Sequence, residues 1–194
     1  MRSSIVLFGN SIRPGDKVDL QQGNALDLSR FADGTFDMTL LFGPMYHLYT
    51  AEDQTRALEE ALRVTKPGGL LYVAYVLSDM AILANGIQHK GWFWSEQEEG
   101  CWTEKTYVHH PKPGHMFQTC RREDVEALAA PLPCRRLHYV AVDCAAALLR
   151  DTLAQMPPER FAKFMDYHDF LCERPDMAGL ADHALDILRK DEAG

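Results

Sequence analysis

Two side chains able to exchange a proton, Tyr46 and His47, stand directly after an apolar run and the pair Gly43-Pro44. Imidazole titrates near neutral pH and can act as a general base, and a phenol can also hold a proton. Ligands of open α/β sheets bind outside the carboxyl ends of the strands. We therefore predict that a strand ends at Gly43 and that Tyr46 and His47 are catalytic candidates beside it. The alternative for His47 is a histidine that only braces the loop.

The elements that would position these residues form a strand-helix-strand unit. Residues 38–42 are almost continuously apolar, which predicts a central parallel strand covered on both faces. Thr50, followed by Asp53, predicts a helix N-terminus, and apolar residues at helical spacing continue the helix to about residue 65. A second apolar run, residues 70–77, predicts the next strand. Units of this kind build parallel sheets.

Four segments resemble the second half of a class I S-adenosylmethionine-dependent methyltransferase, of the bacterial type 11/25-like group. They stand in the family's order and spacing: QGNALDL at 22–28, DGTFD at 33–37, GPMYHL at 43–48 and RVTKPGG at 63–69. Residues 167–168, 172–176 and 183 are similar to the tail of one bacterial subgroup. The resemblance covers nearly the whole chain from about residue 17 onward.

The resemblance implies a Rossmann-like α/β sheet with strand order 3-2-1-4-5-7-6, S-adenosyl-L-methionine as cofactor and a small-molecule acceptor. It places the cofactor-binding positions at Asn24, Ala25, Phe42, Gly43 and Pro44. The family commonly has an acidic residue at the position of Asn24, where it accepts a hydrogen bond from the adenine amino group. An asparagine oxygen can accept the same bond, or Asn24 can simply support the turn.

The family's glycine-rich cofactor loop, GxGxG, does not occur in this sequence, since only Gly9 and Gly15 precede Gly23. We therefore expect a fold truncated at its N-terminus, in which residues 18–21 form an edge strand. The leader, residues 1–16, contains an apolar stretch that could replace a lost strand, cover the sheet or pair with another chain as a homodimer through an exposed edge. The alternative function is a catalytically inactive remnant that acts as a binding or dimerisation module.

Residues 78–118 are predicted to be a lid insertion over the site. All three tryptophans of the chain lie there, and aromatic-rich loops beside a strand-end crevice commonly line substrate pockets. A hairpin whose aromatic residues pack on the sheet is the alternative. The candidates for substrate binding are Trp92, Trp94 and His115, together with Tyr167 and His168 from a helix that begins at Pro157-Pro158 and whose apolar face is first a core face.

The histidines at 109, 110 and 115, with Cys101 or Cys120, raise the question of a metal site. They show neither the His-x3-His spacing of a helix face nor a paired-cysteine spacing. We therefore expect no metal. The five cysteines are predicted to be reduced and mostly packed.

The remaining segments complete one domain over residues 1–194. We predict a helix at 119–129, a strand at 136–142 and a helical segment at 143–175. Residues 177–190 fit a helix by propensity, but the resemblance favours the family's last, antiparallel strand, and we predict the strand.

Composition excludes several classes of function. The net charge of -8 argues against nucleic-acid and membrane-surface binding. No run approaches the ~20 apolar residues of a membrane span, and the N-terminal apolar stretch is too short for a signal peptide, so we expect a cytoplasmic protein. The sequence contains no GxSxG elbow, Walker loop or dinucleotide fingerprint, which excludes the corresponding enzyme classes.

Overall fold

The computed structural model describes residues 15, 17–112, 115 and 117–192, without the side chain of His89, so the apolar part of the leader lies outside the described residues. Its strands are β1 (Phe36–Leu41), β2 (Thr65–Val76), β3 (Cys134–Ala141) and β4 (His183–Lys190). Its helices are α1 (Ala51–Val64), α2 (Ser78–Met80, continued by a π-helical segment Ala81–His89), α3 (Trp92–Glu98), α4 (Arg122–Ala129), α5 (Arg150–Ala154) and α6 (Pro158–Cys172). Short 3-10 turns occupy Pro44–Tyr46, Cys144–Ala147 and Pro175–Met177.

The four strands form one mixed sheet in the order β1-β2-β4-β3. Strands β1 and β2 are parallel, as the strand-helix-strand unit predicts, and β4 runs antiparallel to both of its neighbours. This order is the 4-5-7-6 half of the family's sheet, so the predicted fold class is confirmed. The helical alternative for residues 177–190 is wrong, because pairing along both edges of β4 outweighs its helical propensity.

The core lies between one face of the sheet and helix α1. Thr50 Oγ1 accepts a hydrogen bond from the Asp53 backbone N–H and caps the helix. The apolar stripe of α1 packs on Leu71, Val73 and the neighbouring strands, and includes Ala57, Leu58, Ala61 and Leu62. At the other end of α1, Lys190 Nζ of β4 donates to the carbonyls of Leu62 and Thr65, at 2.7 Å each. These contacts satisfy carbonyl groups that the helix end leaves free.

Strand β1 departs from the prediction of a strand covered on both faces. Met38, Leu40 and Phe42 alternate along it and are 51%, 56% and 54% exposed. The reason is that helix α1 packs on the face that carries Leu41, while the opposite face, with Met38 and Leu40, stays exposed in the described part of the chain. The predicted strand at 18–21 is also wrong: these residues have no strand pairing, and Val18 and Leu20 are exposed.

A buried ion pair crosses the antiparallel side of the sheet. The Asp186 carboxylate of β4 is fully buried and accepts hydrogen bonds from Arg136 Nε at 2.7 Å and Nη2 at 2.9 Å. Arg136 stands on the adjacent strand β3, so the pair ties β3 to β4 in one register.

None of the helices in the described ranges combines the length and hydropathy that crossing a membrane requires.

Candidate active site

The loop after β1 is held rigidly at the carboxyl end of the sheet. Gly43 has φ +119° and ψ -51°, a conformation that favours glycine, and it turns the chain into the 3-10 turn that starts at Pro44. Met45 is 1% exposed and anchors the turn in the core. Gln54 Nε2 of helix α1 donates to the carbonyls of Met45, at 2.9 Å, and Leu48, at 3.2 Å. The loop is therefore fixed by the same helix that covers the sheet.

The segment that follows α3 lies across this loop. The Gln118 backbone N–H donates to the Tyr46 carbonyl at 2.9 Å. The Phe117 ring meets the Tyr46 ring edge-on, with centroids 5.4 Å apart, and lies 5.6 Å from the His47 ring. Tyr49 Oη donates to the His115 carbonyl at 2.8 Å. The strand-end loop, together with His115, Phe117 and Gln118, thus forms what we call the clasp.

Two cavities lie side by side, and His109 and Thr119 line both of them. One, of about 580 Å³, lies between the start of α1 and α4 and reaches Tyr49, Gln54 and Ser78. The second, of about 470 Å³, lies at the carboxyl end of β2. Its lining combines aromatic and ionisable side chains and includes Val76, Asn85, Lys90, Trp92, Glu96, Phe117, Arg150, Asp182 and His183. We call this second space the β2-end cavity; its size suits a small-molecule ligand.

The two predicted catalytic residues lie beside each other at the strand end. Tyr46 is half-buried and His47 is exposed, with ring centroids 5.1 Å apart. In the described part of the chain, the His47 side chain makes no hydrogen bond, whereas its backbone N–H donates to the Pro44 carbonyl. Its catalytic role stays a prediction.

The predicted cofactor-binding residues fall into two groups. Asn24 and Ala25 line a further cavity of about 470 Å³ with Phe31 and Phe36, while Phe42, Gly43 and Pro44 do not line it. Asn24 Oδ1 accepts a hydrogen bond from the Leu26 backbone N–H at 3.1 Å, which is the turn-supporting geometry. A carbonyl oxygen has a second lone pair, so this bond leaves one acceptor position on Asn24.

Helix α1 anchors the loop that carries Asn24 and Ala25. The Glu60 carboxylate accepts the Leu28 backbone N–H at 2.7 Å and two donors of Arg63. Arg63 in turn donates to the Phe31 carbonyl and to Asp33. The hydrogen bonds from Arg63 lower the pKa of Glu60 to about 2, against the opposing effect of burial.

A pH dependence follows from Glu60. Its depressed pKa means that the ionised form stabilises the fold above the unfolded-state value of about 4.3, and that this contribution is lost as the pH falls towards 2. We expect Glu60→Gln to lower the free energy of unfolding at neutral pH, and the deficit to shrink between about pH 4.3 and pH 2. Urea unfolding across this pH range measures the difference in unfolding free energy between the two proteins. Glu59→Gln, at an exposed position of the same helix, is the control. A difference that does not change with pH would contradict the lowered pKa of Glu60.

The predicted substrate-binding residues are dispersed. Trp92 lines the β2-end cavity and stacks on Trp102, whereas Trp94 is 54% exposed and packs on Phe93. Tyr167 is 57% exposed on α6, outside the β2-end cavity. His168 is buried, and its Nε2 lies 3.0 Å from the Val142 carbonyl. That contact holds α6 against the end of β3, and the substrate-binding role of His168 stays a prediction.

Sequence reasoning missed the ionisable lining of the β2-end cavity, above all Glu96, Asp182 and His183. Asp143 accepts the backbone N–H groups of Asp182 and His183, and the side chain of His183 at 2.9 Å. That carboxylate raises the pKa of His183. No local motif marks Glu96 or Asp182, and the resemblance covered His183 without giving it a role in the site. The three residues meet only because the fold brings the end of β4 to helices α2 and α3.

Comparisons with known proteins agree with this architecture. The family model of the methyltransferase domain matches residues 7–73. An S-adenosylmethionine-dependent methyltransferase from Methanosarcina mazei superposes with a TM-score of 0.53 at 15% identity, over 93% of this chain and 71% of that one. The fold is that of a class I methyltransferase. The resemblance drawn from the four segments is thereby confirmed at the level of the fold.

A second solved structure shows how this fold is used elsewhere. The [4+2]-cyclase SpnF superposes with a TM-score of 0.50 at 18% identity, over 99% of this chain and 61% of SpnF. The chain therefore spans less than two thirds of the length of SpnF. No curated protein sequence matches the chain.

Proposed function

We propose that this chain is an S-adenosylmethionine-dependent methyltransferase, or the strand-end half of one, acting on a small-molecule acceptor. The observation that carries the proposal is the clasp at the carboxyl end of the sheet. There the loop Gly43–His47 is held by Gln54 and contacts Phe117 and Gln118, and Phe117 also lines the β2-end cavity. Folds of this kind bind their ligands at the carboxyl ends of the strands.

S-adenosylmethionine supplies an activated methyl group when bound, so the protein mainly positions the two reactants. Proximity and orientation can contribute on the order of 7–11 kcal/mol of the barrier. Gly43 lets the backbone approach the cofactor without a side chain in the way. Trp92 and Phe117 shield the acceptor from water, because both line the β2-end cavity. His47, whose ring lies 5.6 Å from the Phe117 ring, takes the acceptor proton where one must leave.

The cofactor and the proton transfer are tested separately. Calorimetric titration with S-adenosylhomocysteine is expected to show micromolar binding, equivalent to about -8 kcal/mol. His47→Ala should bind equally well but lose methyl transfer by roughly 10²–10⁴-fold, whereas His138→Ala, on the exposed part of β3, should change neither. Absence of binding at millimolar ligand would overturn the proposal and would leave a binding or dimerisation module as the reading of this fold.

A further inference from the structure

Three side chains of types that commonly bind metals, Glu96, His109 and His115, converge between helix α3 and the segment after it. Glu96 Oε2 lies 3.3 Å from His109 Nε2, and Glu96 Oε1 lies 3.6 Å from His115 Nδ1. One ligand atom from each of the three residues lies within 4.8 Å of the other two. These residues are 13 and six positions apart in the sequence, a spacing that matches no short metal-binding motif.

Two polar atoms in this cluster are buried without a hydrogen-bond partner among the described residues. They are His109 Nε2 and Glu96 Oε2, and the side chain of His109 is only 2% exposed. The other ring nitrogen, Nδ1, lies 3.0 Å from Thr119 Oγ1, which also accepts a hydrogen bond from Ser78. Unpartnered buried polar atoms are rare and costly. The ring is therefore held by Nδ1 with Nε2 directed at the carboxylate.

The Glu96 carboxylate is also enclosed by its neighbours. Its side chain is only 16% exposed, and its two oxygens face the imidazole rings of His109 and His115. Lys112 forms its ion pair with Glu99. A buried carboxylate is stable only where it is hydrogen-bonded, paired with a cation or bound to a metal.

We propose that Glu96, His109 and His115 bind a divalent transition metal, zinc in the first instance. A set of two histidines and one glutamate is a known zinc-binding combination that keeps a fourth position open. Zinc bonds of about 2.0–2.2 Å in tetrahedral geometry separate ligand atoms by roughly 3.3–3.6 Å. One oxygen of Glu96 lies 3.3 Å from His109 Nε2 and the other lies 3.6 Å from His115 Nδ1, and one ligand atom from each residue lies within 4.8 Å of the others, so small side-chain shifts bring the three to that spacing. Metal coordination at His115 Nδ1 would replace its long contact, 3.4 Å, with the Lys112 N–H.

The surroundings resemble the outer shell of a metal site. Glu99 Oε2 lies 3.3 Å from His115 Nε2 and can hold that ring with Nδ1 towards the metal. The Trp102 ring stacks on His109, with centroids 4.2 Å apart. Cys101 is fully buried with Sγ 4.0 Å from His115 Nδ1, which makes it a candidate for the fourth ligand.

The metal would tie the lid to the strand-end loop. Glu96 belongs to α3, while His109 and His115 belong to the following segment, whose His115 carbonyl accepts the Tyr49 hydroxyl. Glu96 and His109 also line the β2-end cavity, so a bound metal would stand in its wall. Because metal binding needs neither cofactor nor acceptor, this inference stands or falls independently of the proposed methyl transfer.

Zinc titration of chelator-treated protein tests the site. We expect one equivalent of zinc to bind and to raise the thermal midpoint, and EDTA to reverse the rise. Glu96→Gln, which keeps the shape of the side chain, and His115→Ala should each weaken zinc binding by roughly 100-fold or more; Glu99→Gln should weaken it by about 10–100-fold. His110→Ala, whose ring bonds Thr103 outside the cluster, is the matched control and should bind normally.

The outcomes separate a metal site from a merely structural cluster. If the cluster is only structural, Glu96→Gln removes a buried charge and raises or preserves the thermal midpoint, and zinc changes nothing in any variant. Either that result, or zinc binding that Glu96→Gln and His115→Ala leave intact, would overturn the proposal. Cobalt substitution adds a readout of the ligands, because a sulfur-to-cobalt charge-transfer band that Cys101→Ala abolishes would identify Cys101 as the fourth ligand.

Discussion

Arg136→Met is expected to lower the free energy of unfolding by about 3–5 kcal/mol at neutral pH, the range for breaking one side of a buried ion pair. The variant leaves the Asp186 carboxylate, fully buried in the sheet, without its two charged hydrogen-bond donors. Hydrophobic packing by methionine cannot replace those bonds, because the penalty comes from the unpaired carboxylate. Equilibrium unfolding in urea measures the loss.

The loss of unfolding free energy in Arg136→Met should become smaller as the pH falls. Burial raises the pKa of Asp186 even with Arg136 beside it, and removal of the guanidinium raises it further. A carboxyl group whose folded-state pKa is raised favours folding most when it is protonated. The deficit should therefore be greatest at neutral pH and shrink as the pH falls and Asp186 becomes protonated in the folded state.

Two further variants make this prediction specific. Arg136→Met combined with Asp186→Leu should recover most of the lost stability, since replacing a whole buried ion pair with apolar residues is often neutral or stabilising. Arg135→Met, on the exposed side of the same strand, should change stability by less than about 0.5 kcal/mol. A double variant no more stable than Arg136→Met would show that the loss arises from something other than the unpaired carboxylate.

Gly43→Ala is expected to weaken S-adenosylhomocysteine binding by at least about tenfold and to abolish methyl transfer. At φ +119° and ψ -51° an alanine is strained by about 1–3 kcal/mol, although its Cβ would meet only the Tyr46 hydroxyl, at 3.8 Å. The loop relieves this strain by moving away from the shape that binds the cofactor. Each 1.4 kcal/mol of binding free energy lost in this way weakens the affinity tenfold. Calorimetry and a methyl-transfer assay measure the two effects.

Gly34→Ala is the matched control for Gly43→Ala. Gly34 also has a positive φ, +62°, and an added Cβ would make only ordinary contacts there, but it lies at the amino end of β1, away from the clasp. It should lose a comparable amount of stability and keep full ligand binding. Equal losses of binding in both variants would mean that Gly43 acts through global stability and not through the shape of the site.

Sequence patterns predicted correctly those elements whose formation depends on residues close together in the chain. The apolar runs, the Thr50 cap and the glycine-proline stops marked β1, α1 and β2 because turn chemistry and hydrophobic period act over a few residues. For β4, local propensity favoured a helix, and only the resemblance to a family with a known last strand pointed to the structure found. The pairing partners of β4 lie far away in the chain, where no local signal can report them.

Residue patterns along the chain were enough to predict the strand-helix-strand unit, the strand-end loop with Tyr46 and His47, and the methyltransferase-like order of segments. Tertiary structure alone decided which face of β1 is open, that Asp186 is paired with Arg136 in the core, and that Glu96 meets His109 and His115. The physical reason is common to all three: burial and side-chain convergence depend on contacts between elements distant in sequence. Residue types and their spacing determine where helices and strands form. Which charged side chains face one another depends on how those helices and strands pack.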